Sequence, residues 1–366
     1  MFLIIFLFTI NLSAQNKIIQ SKYSLSLGAY SLTVSINNVS SIKALNESSL
    51  YLIRSGPITS ENFITNASFV DADGKGFIAS LVEDTISTDN FSVPLRHYII
   101  TESKWSIFAD NSIPLAHRFP DEAFSIVHQL YKQNDISHLA FGFSKYMTYR
   151  GYLYFGGLPK EEKESQYEAK CKVKSDDYYW GCDLEYVYFG DRKYDMYINA
   201  NYSKFSTNHF NILAPVSFLT YMKNTVFKEM IERRKCMFMN TNMYHFFHCD
   251  CDTIDKFPDL HFVFEGKVFT VKMVNLFEIY DPSALGVEYC EFLISKNNIN
   301  ENEWSFGSIF LQNYAINFDY ETNDVSFYSI RPFKSFNVDC SWYIVNIILL
   351  SIGIIYQLYI LHYKYI

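Results

Sequence analysis

No cysteine occurs before Cys171: the seven are Cys171, Cys182, Cys236, Cys249, Cys251, Cys290 and Cys340. Disulfide support is thereby excluded from the first 170 residues and expected beyond them, in an oxidising compartment. Basic charge is also scarce. Against 39 Asp and Glu stand 31 Lys and Arg, a formal net charge of -8, and no basic cluster exceeds Glu232-Arg233-Arg234-Lys235. A surface built to track phosphates is excluded, and no nucleic-acid partner is expected. Charged residues make up only 19% of the chain and hydrophobic ones 49%, with 29 Tyr and 33 Phe. This β-favouring mix excludes a disordered or coiled-coil chain.

What is present reads as strands. Tyr23-Ser24-Leu25-Ser26-Leu27, Tyr30-Ser31-Leu32-Thr33-Val34, Tyr186-Val187-Tyr188-Phe189, Leu260-His261-Phe262-Val263-Phe264 and Val325-Ser326-Phe327-Tyr328 alternate or run as short β-rich blocks between turn residues. Helical spacing is confined to residues 123–131 and to 216–231 after Pro215. A length of 366 residues exceeds what one hydrophobic core usually serves, so two lobes are expected. Pro159-Lys160-Glu161-Glu162-Lys163-Glu164-Ser165 reads as a solvated loop near their boundary.

Both ends carry apolar runs. Residues 1–14 end in Asn11-Leu12-Ser13-Ala14 and read as a secretory signal peptide, although the expected positive side chain is missing; a buried strand or an anchor is the other reading. Residues 342–361 contain no charged side chain. At 1.5 Å per residue, about 20 residues span about 30 Å of hydrocarbon, so a transmembrane helix is expected, with a buried soluble helix or a removed lipid-anchor tail as alternatives. The topology implied is a single-pass type I membrane protein of the secretory pathway. Asn-x-Ser sequons at Asn38, Asn46, Asn66, Asn90 and Asn201 agree with that route. Cys249-Asp250-Cys251 beside His245 and His248 is the one spacing that hints at zinc, but the ligands are crowded and the route oxidising, so neither metal nor cofactor is expected.

Phe306-Gly307-Ser308-Ile309-Phe310-Leu311 with Phe318-Asp319 resembles a characteristic block of the pepsin-like aspartic peptidases. Phe257-Pro258-Asp259-Leu260 and Cys290, the helix around Ile126-Val127-His128-Gln129-Leu130, Phe141-Gly142-Phe143, and Phe155-Gly156-Gly157 are similar to further blocks of that family, in the same order. The resemblance covers most of residues 22–329. It implies an all-β, bilobed acid-protease fold with a few short helices, an N-terminal lobe over residues 20–170 and a C-terminal lobe over 171–330. It also implies bridges between Cys171 and Cys182, which flank a stretch able to close as a hairpin, and between Cys290 and either Cys249 or Cys251, with Cys236 taking the remaining one.

In that family each lobe supplies one Asp-Thr/Ser-Gly loop, and neither triplet occurs anywhere in this sequence. The resemblance places Leu45 and Ser206 at the two aspartate positions, with Asn46, Glu47, Ser48, Thr207 and Asn208 as remnants of the loops, and Glu47 and Asn208 in the glycine places. The flap that covers the cleft falls on Asp71, Asp73 and Gly74. The reading is a membrane-anchored pseudoenzyme that binds a peptide or protein. The alternatives are a hydrolase using Glu47 with Asp71, or His209 with Ser206, and a purely structural surface glycoprotein.

Overall fold

A computed structural model describes residues 17–26, 29–36, 39–46, 53–55, 63–70, 76–88, 92–103, 112–117, 125–147, 150–163, 167–173, 179–191, 197, 202–207, 209–240, 245–280, 289–298 and 302–330. The expected signal peptide, the span at 342–361, Cys340, and the sequons at Asn38, Asn90 and Asn201 lie outside these residues. Among the described residues no helix is long and apolar enough to cross a membrane.

The described residues of the first part of the chain are nearly all strand: β1 (Ile19–Ser26), β2 (Ala29–Ile36), β3 (Val39–Asn46), β4 (Ile53–Ser55), β5 (Phe63–Val70), β6 (Gly76–Ser87), β7 (Ser92–Ser103) and β8 (Ser112–Pro114). Helix α1 (Ile126–Lys132) follows, then β9 (Ala140–Met147), β10 (Arg150–Phe155), the one-turn α2 (Lys160–Lys163), β11 (Tyr167–Lys172), β12 (Gly181–Phe189), β13 (Tyr202–Phe205) and β14 (Ile212–Ala214). After α3 (Val216–Asn224) and α4 (Lys228–Glu232) come β15 (Cys236–Asn240), β16 (His245–Asp250), β17 (Leu260–Phe264), β18 (Lys267–Val271), β19 (Phe277–Tyr280), β20 (Tyr289–Phe292), β21 (Ile294–Lys296) and β22 (Trp304–Phe306). Helix α5 (Ser308–Leu311) leads into β23 (Tyr314–Asp319) and β24 (Asp324–Ser329).

Among the described residues three sheets result, in the orders β11-β24-β23-β9-β10-β1-β2-β3-β8-β4-β7-β6-β5, β18-β17-β12-β13-β22-β14-β21 and β15-β16-β20-β19. The first joins strands far apart in sequence, because β23 pairs with β9 in the register Asn317↔Gly142 and Phe318↔Phe141. Side-chain alternation fixes which face is buried. Along β23 and β24, Ile316, Phe318, Val325 and Phe327 enter the main core, while Ala315 packs with Tyr154 and Leu158 in a small cluster apart from it. Phe141 stacks on Phe318 with ring centroids 4.7 Å apart, and Trp180 closes on the same ring at 5.2 Å. Each fully buried aromatic of this kind is worth about 1.5–3 kcal/mol of transfer free energy.

Two local expectations change. The predicted helix over 216–231 is broken between α3 and α4, where Val226 and Phe227 turn inward and Phe227 becomes fully buried. Its ring stacks on Phe247 at 4.2 Å, a contact an uninterrupted amphipathic helix would have to forgo. The charged stretch after Pro159 is a helical turn rather than a loop: the Glu162 and Lys163 amides both donate to the Pro159 carbonyl, and proline suits a helix start because it has no amide to leave unpaired.

The cysteines pair as Cys171–Cys182, Cys236–Cys249 and Cys251–Cys290. The first pair is the expected one, but it closes no hairpin: β11 pairs with β24 and β12 with β13 and β17, so the bridge ties two sheets. The open choice at Cys290 falls on Cys251. With both thiols of Cys249-Asp250-Cys251 in bridges, the zinc alternative loses its ligands, because metal binding needs free thiolates.

Candidate functional site

In the second half, β13 runs parallel to β22 with Ser203↔Trp304, Lys204↔Ser305 and Phe205↔Phe306. On the other side of β22, β14 returns antiparallel with Ile212↔Phe306 and Leu213↔Ser305. Residues 206–211 therefore swing across the end of the central strand. Backbone bonds lock this crossing: Ser206 donates to the Phe306 carbonyl at 2.9 Å, Gly307 to Asn211 at 3.2 Å, Ser308 to His209 at 2.9 Å and Ile309 to Phe210 at 2.9 Å. A Cβ on Gly307 would lie 2.3 Å from the Asn211 oxygen and 2.6 Å from that of His209. Only glycine admits this close approach.

The first half repeats the topology. Strand β3 lies parallel to β8 with Ala44↔Ser112, Leu45↔Ile113 and Asn46↔Pro114, and β4 pairs antiparallel with β8 at Ile53↔Ser112. Leu45 and Asn46 thus end the first parallel strand, as Ser206 and Thr207 follow the second. Ser206 and Thr207 are buried, at 4% and 3% exposure. Glu47, Ser48, Asn208, Asp71, Asp73 and Gly74 lie outside the described residues.

The chemistry available in these two units is limited. Across residues 39–55, 112–114, 203–214 and 304–311 the only Asp or Glu is Glu47. His209 Nδ1 lies 2.8 Å from the Asn211 carbonyl and its Nε2 lies 2.8 Å from Ser305 Oγ. Because a carbonyl can only accept, Nδ1 carries a proton, while the serine hydroxyl can serve Nε2 as donor or acceptor. A Ser–His pair is a nucleophile motif when substrate can reach it, but Ser305 is 2% exposed. Here the ring is a clasp holding the crossing segment to β22.

A second clasp has no signal in the sequence. The residues just after β8 are held by side chains from far along the chain. Trp180 Nε1 donates to the Leu115 carbonyl at 2.7 Å, the Tyr320 hydroxyl to the Ala116 carbonyl at 3.0 Å, and His117 Nε2 to Asn323 Oδ1 at 2.9 Å. Burial pushes the Tyr320 phenol far above its usual range, with a bond to Ser125 acting against the shift. It therefore stays a donor at any ordinary pH.

An open groove of about 810 Å³ lies elsewhere, lined by residues including Ile18, Gln20, His138, Tyr154, Lys160 and Lys163. None of its lining residues belongs to either crossing unit. The Tyr154 phenol there is pushed well up, first by burial and then by Glu162.

The sequence profile of the eukaryotic aspartyl protease family matches residues 113–330, from β8 of the first unit to the end of β24. Plasmepsin IV of Plasmodium falciparum is similar to this chain in the sequences of two isolates. Each is 30% identical over 206 residues, 55% of this chain and 41% of the relative. The match thus spans about two fifths of the length of those relatives. The mostly β architecture, the two strand-crossing units and the profile match over more than half the chain lead to one assignment: this chain belongs to the pepsin-like eukaryotic aspartyl protease family.

Proposed function

We propose that this member of the family no longer cuts peptide bonds and instead binds an extended peptide or protein segment, as a glycoprotein anchored by one span in a membrane of the secretory pathway. The observation that carries the reading is the absence of carboxylates from the two crossing units, Glu47 excepted. Aspartic-peptidase chemistry needs two carboxylates sharing one proton, one activating water and the other polarising the scissile carbonyl. Leu45 and Ser206, in the places the resemblance gives to those aspartates, can do neither. Leucine has no proton to exchange, and a serine hydroxyl is too weakly acidic to ionise near neutral pH without a base beside it. Binding makes no such demand, since strand addition recruits only backbone N–H and C=O groups.

The membrane and glycan parts of the proposal rest on the uncharged apolar run at 342–361 and on the sequons. Removing residues 342–366 should release a soluble glycosylated product; retention in the membrane pellet after carbonate extraction would count against the anchor. For the activity, the purified protein is incubated with a peptide library between about pH 3 and 7, the range over which carboxylate dyads work. No new peptide termini are expected. Turnover that disappears in Glu47→Gln or Asp71→Asn would overturn the proposal and favour an unconventional hydrolase.

A further inference from the structure

Four cysteines meet in the smallest sheet. Strands β15, β16 and β20 place Cys236 opposite Cys249 and Cys249 opposite Cys290, so three cysteines form one row across three adjacent strands. Cys249 is bonded to Cys236 on one side. On its other side stands Cys290, which is bonded instead to Cys251, the residue just past the end of β16. Directly opposed residues of an antiparallel pair hold their Cβ atoms about 4.5–5.5 Å apart on the same face, close to the separation a disulfide spans. Cys249 therefore has two cysteines within bonding reach and can hold only one.

Accessibility sets the order of events. Cys236, Cys249 and Cys290 are 5%, 2% and 0% exposed, whereas Cys251 is only partly buried, at the rim of the core. We propose that these four cysteines form a thiol–disulfide exchange relay, open to a dithiol reductant or a dithiol oxidoreductase at Cys251. A thiolate of the dithiol attacks Cys251 Sγ, the Cys251–Cys290 bond breaks, and Cys290 leaves as a thiolate. Buried and facing Cys249, that thiolate attacks Cys249 Sγ, forming Cys249–Cys290 and expelling Cys236 as a thiolate that takes up a proton. The second thiol of the dithiol then resolves the mixed disulfide, leaving Cys251 as a thiol and the reagent as its own disulfide. Two electrons pass from the dithiol to the protein, one bridge is lost, and the surviving bridge has moved from β15–β16 to β16–β20. The edge strand β15 is then no longer covalently tied.

The test uses the intact chain. After any free thiol is blocked with N-ethylmaleimide, the protein is treated with limiting dithiothreitol, quenched with acid, alkylated with iodoacetamide and mapped without reduction. Cleavage before Asp250 separates Cys249 from Cys251. The expected two-electron product carries alkyl groups on Cys236 and Cys251 and contains a Cys249–Cys290 bridge, with Cys171–Cys182 untouched. Alkylation of Cys251 and Cys290 with Cys236–Cys249 intact would overturn the relay, as would loss of both bridges together or first loss of Cys236–Cys249. A Cys251→Ser variant starts with the Cys290 thiol in place. It should show a population bridged Cys249–Cys290, and a product bridged only Cys236–Cys249 would again overturn the proposal. Both readouts are independent of whether the protein cuts or binds peptides.

Discussion

The two crossing units share a topology and differ in what holds them. In the second unit the segment after the central strand folds back onto its own crossing loop, through bonds from Gly307, Ser308 and Ile309 to residues 209–211. In the first unit the central strand ends on Pro114. The residues after it are held by Trp180, Tyr320 and Asn323. One clasp is local, and the other is borrowed from far along the chain. One topology is thus fastened in two ways, by a close backbone approach that requires glycine at 307 and by side chains that lie far along the chain.

The self-contained clasp is broken most severely by Gly307→Ala. The added methyl would sit inside contact distance of two carbonyl oxygens, and overpacking against backbone of this kind costs about 3 kcal/mol. A matching drop in the urea midpoint, with all bridges intact, is the expected result; a change under about 0.5 kcal/mol, the range of neutral surface substitutions, would show that the crossing is looser than described. The borrowed clasp is tested by Trp180→Phe, which preserves most of the aromatic packing but strands the buried Leu115 carbonyl at a cost of about 1–3 kcal/mol. Hydrogen exchange should then rise after β8 and stay unchanged at 206–211. Equal rises in both places would dissolve the distinction between the units.

Acid should loosen the borrowed clasp selectively. Asp324, beside Asn323, has a side chain only 1% exposed and is ion-paired with Lys170 and, at 3.1 Å, Lys172. Burial alone would raise its carboxyl, but Lys170, Thr322 and Lys172 outweigh that and hold it below the ordinary carboxylate range. A depressed native pKa means the stabilisation is present above the unfolded value, about 3.9, and is lost as pH falls through the lower native one. Asp324→Asn should therefore lower stability at pH 7 and flatten the acid limb below about pH 4. Because both lysines are largely solvated, the loss is discounted to about 1–2 kcal/mol. An unchanged acid limb in the variant would remove Asp324 from the account. The smallest effect belongs to Ser305→Ala, about 1 kcal/mol, and it should vanish in a His209→Ala background if the hydroxyl acts only through the ring.

The strands were legible in the sequence because alternation of Phe, Tyr, Leu and Val against polar residues reports burial directly, as at Leu260, Phe262 and Phe264, all 1% exposed or less. The Phe-Gly-Ser block was legible too, since a close backbone approach leaves a glycine in the sequence. The break at Thr225-Val226-Phe227 was not, because Phe227 serves a helical face as well as it serves the pocket beside Phe247; the choice is made by tertiary packing. The choice of Cys251 over Cys249 as the partner of Cys290 was hidden as well, because spacing does not report that Cys249 stands opposite Cys236 and is bonded to it. The partners of Leu115, Ala116 and His117 were invisible for the same reason: carbonyl acceptors carry no residue identity, and their donors lie far along the chain.

The pairing of β9 with β23 bears on the birth of the chain. Strand β9 can hydrogen-bond on both sides only when β23 arrives, roughly half a chain later. Until then the growing polypeptide presents an unfilled edge flanked by Phe141 and Phe143, and such edges accept whatever strand comes first. Contacts this distant in sequence also form slowly. Nascent chains truncated just before Tyr314 should therefore remain bound to chaperones or aggregate, and those extended past Ser329 should release as folded protein.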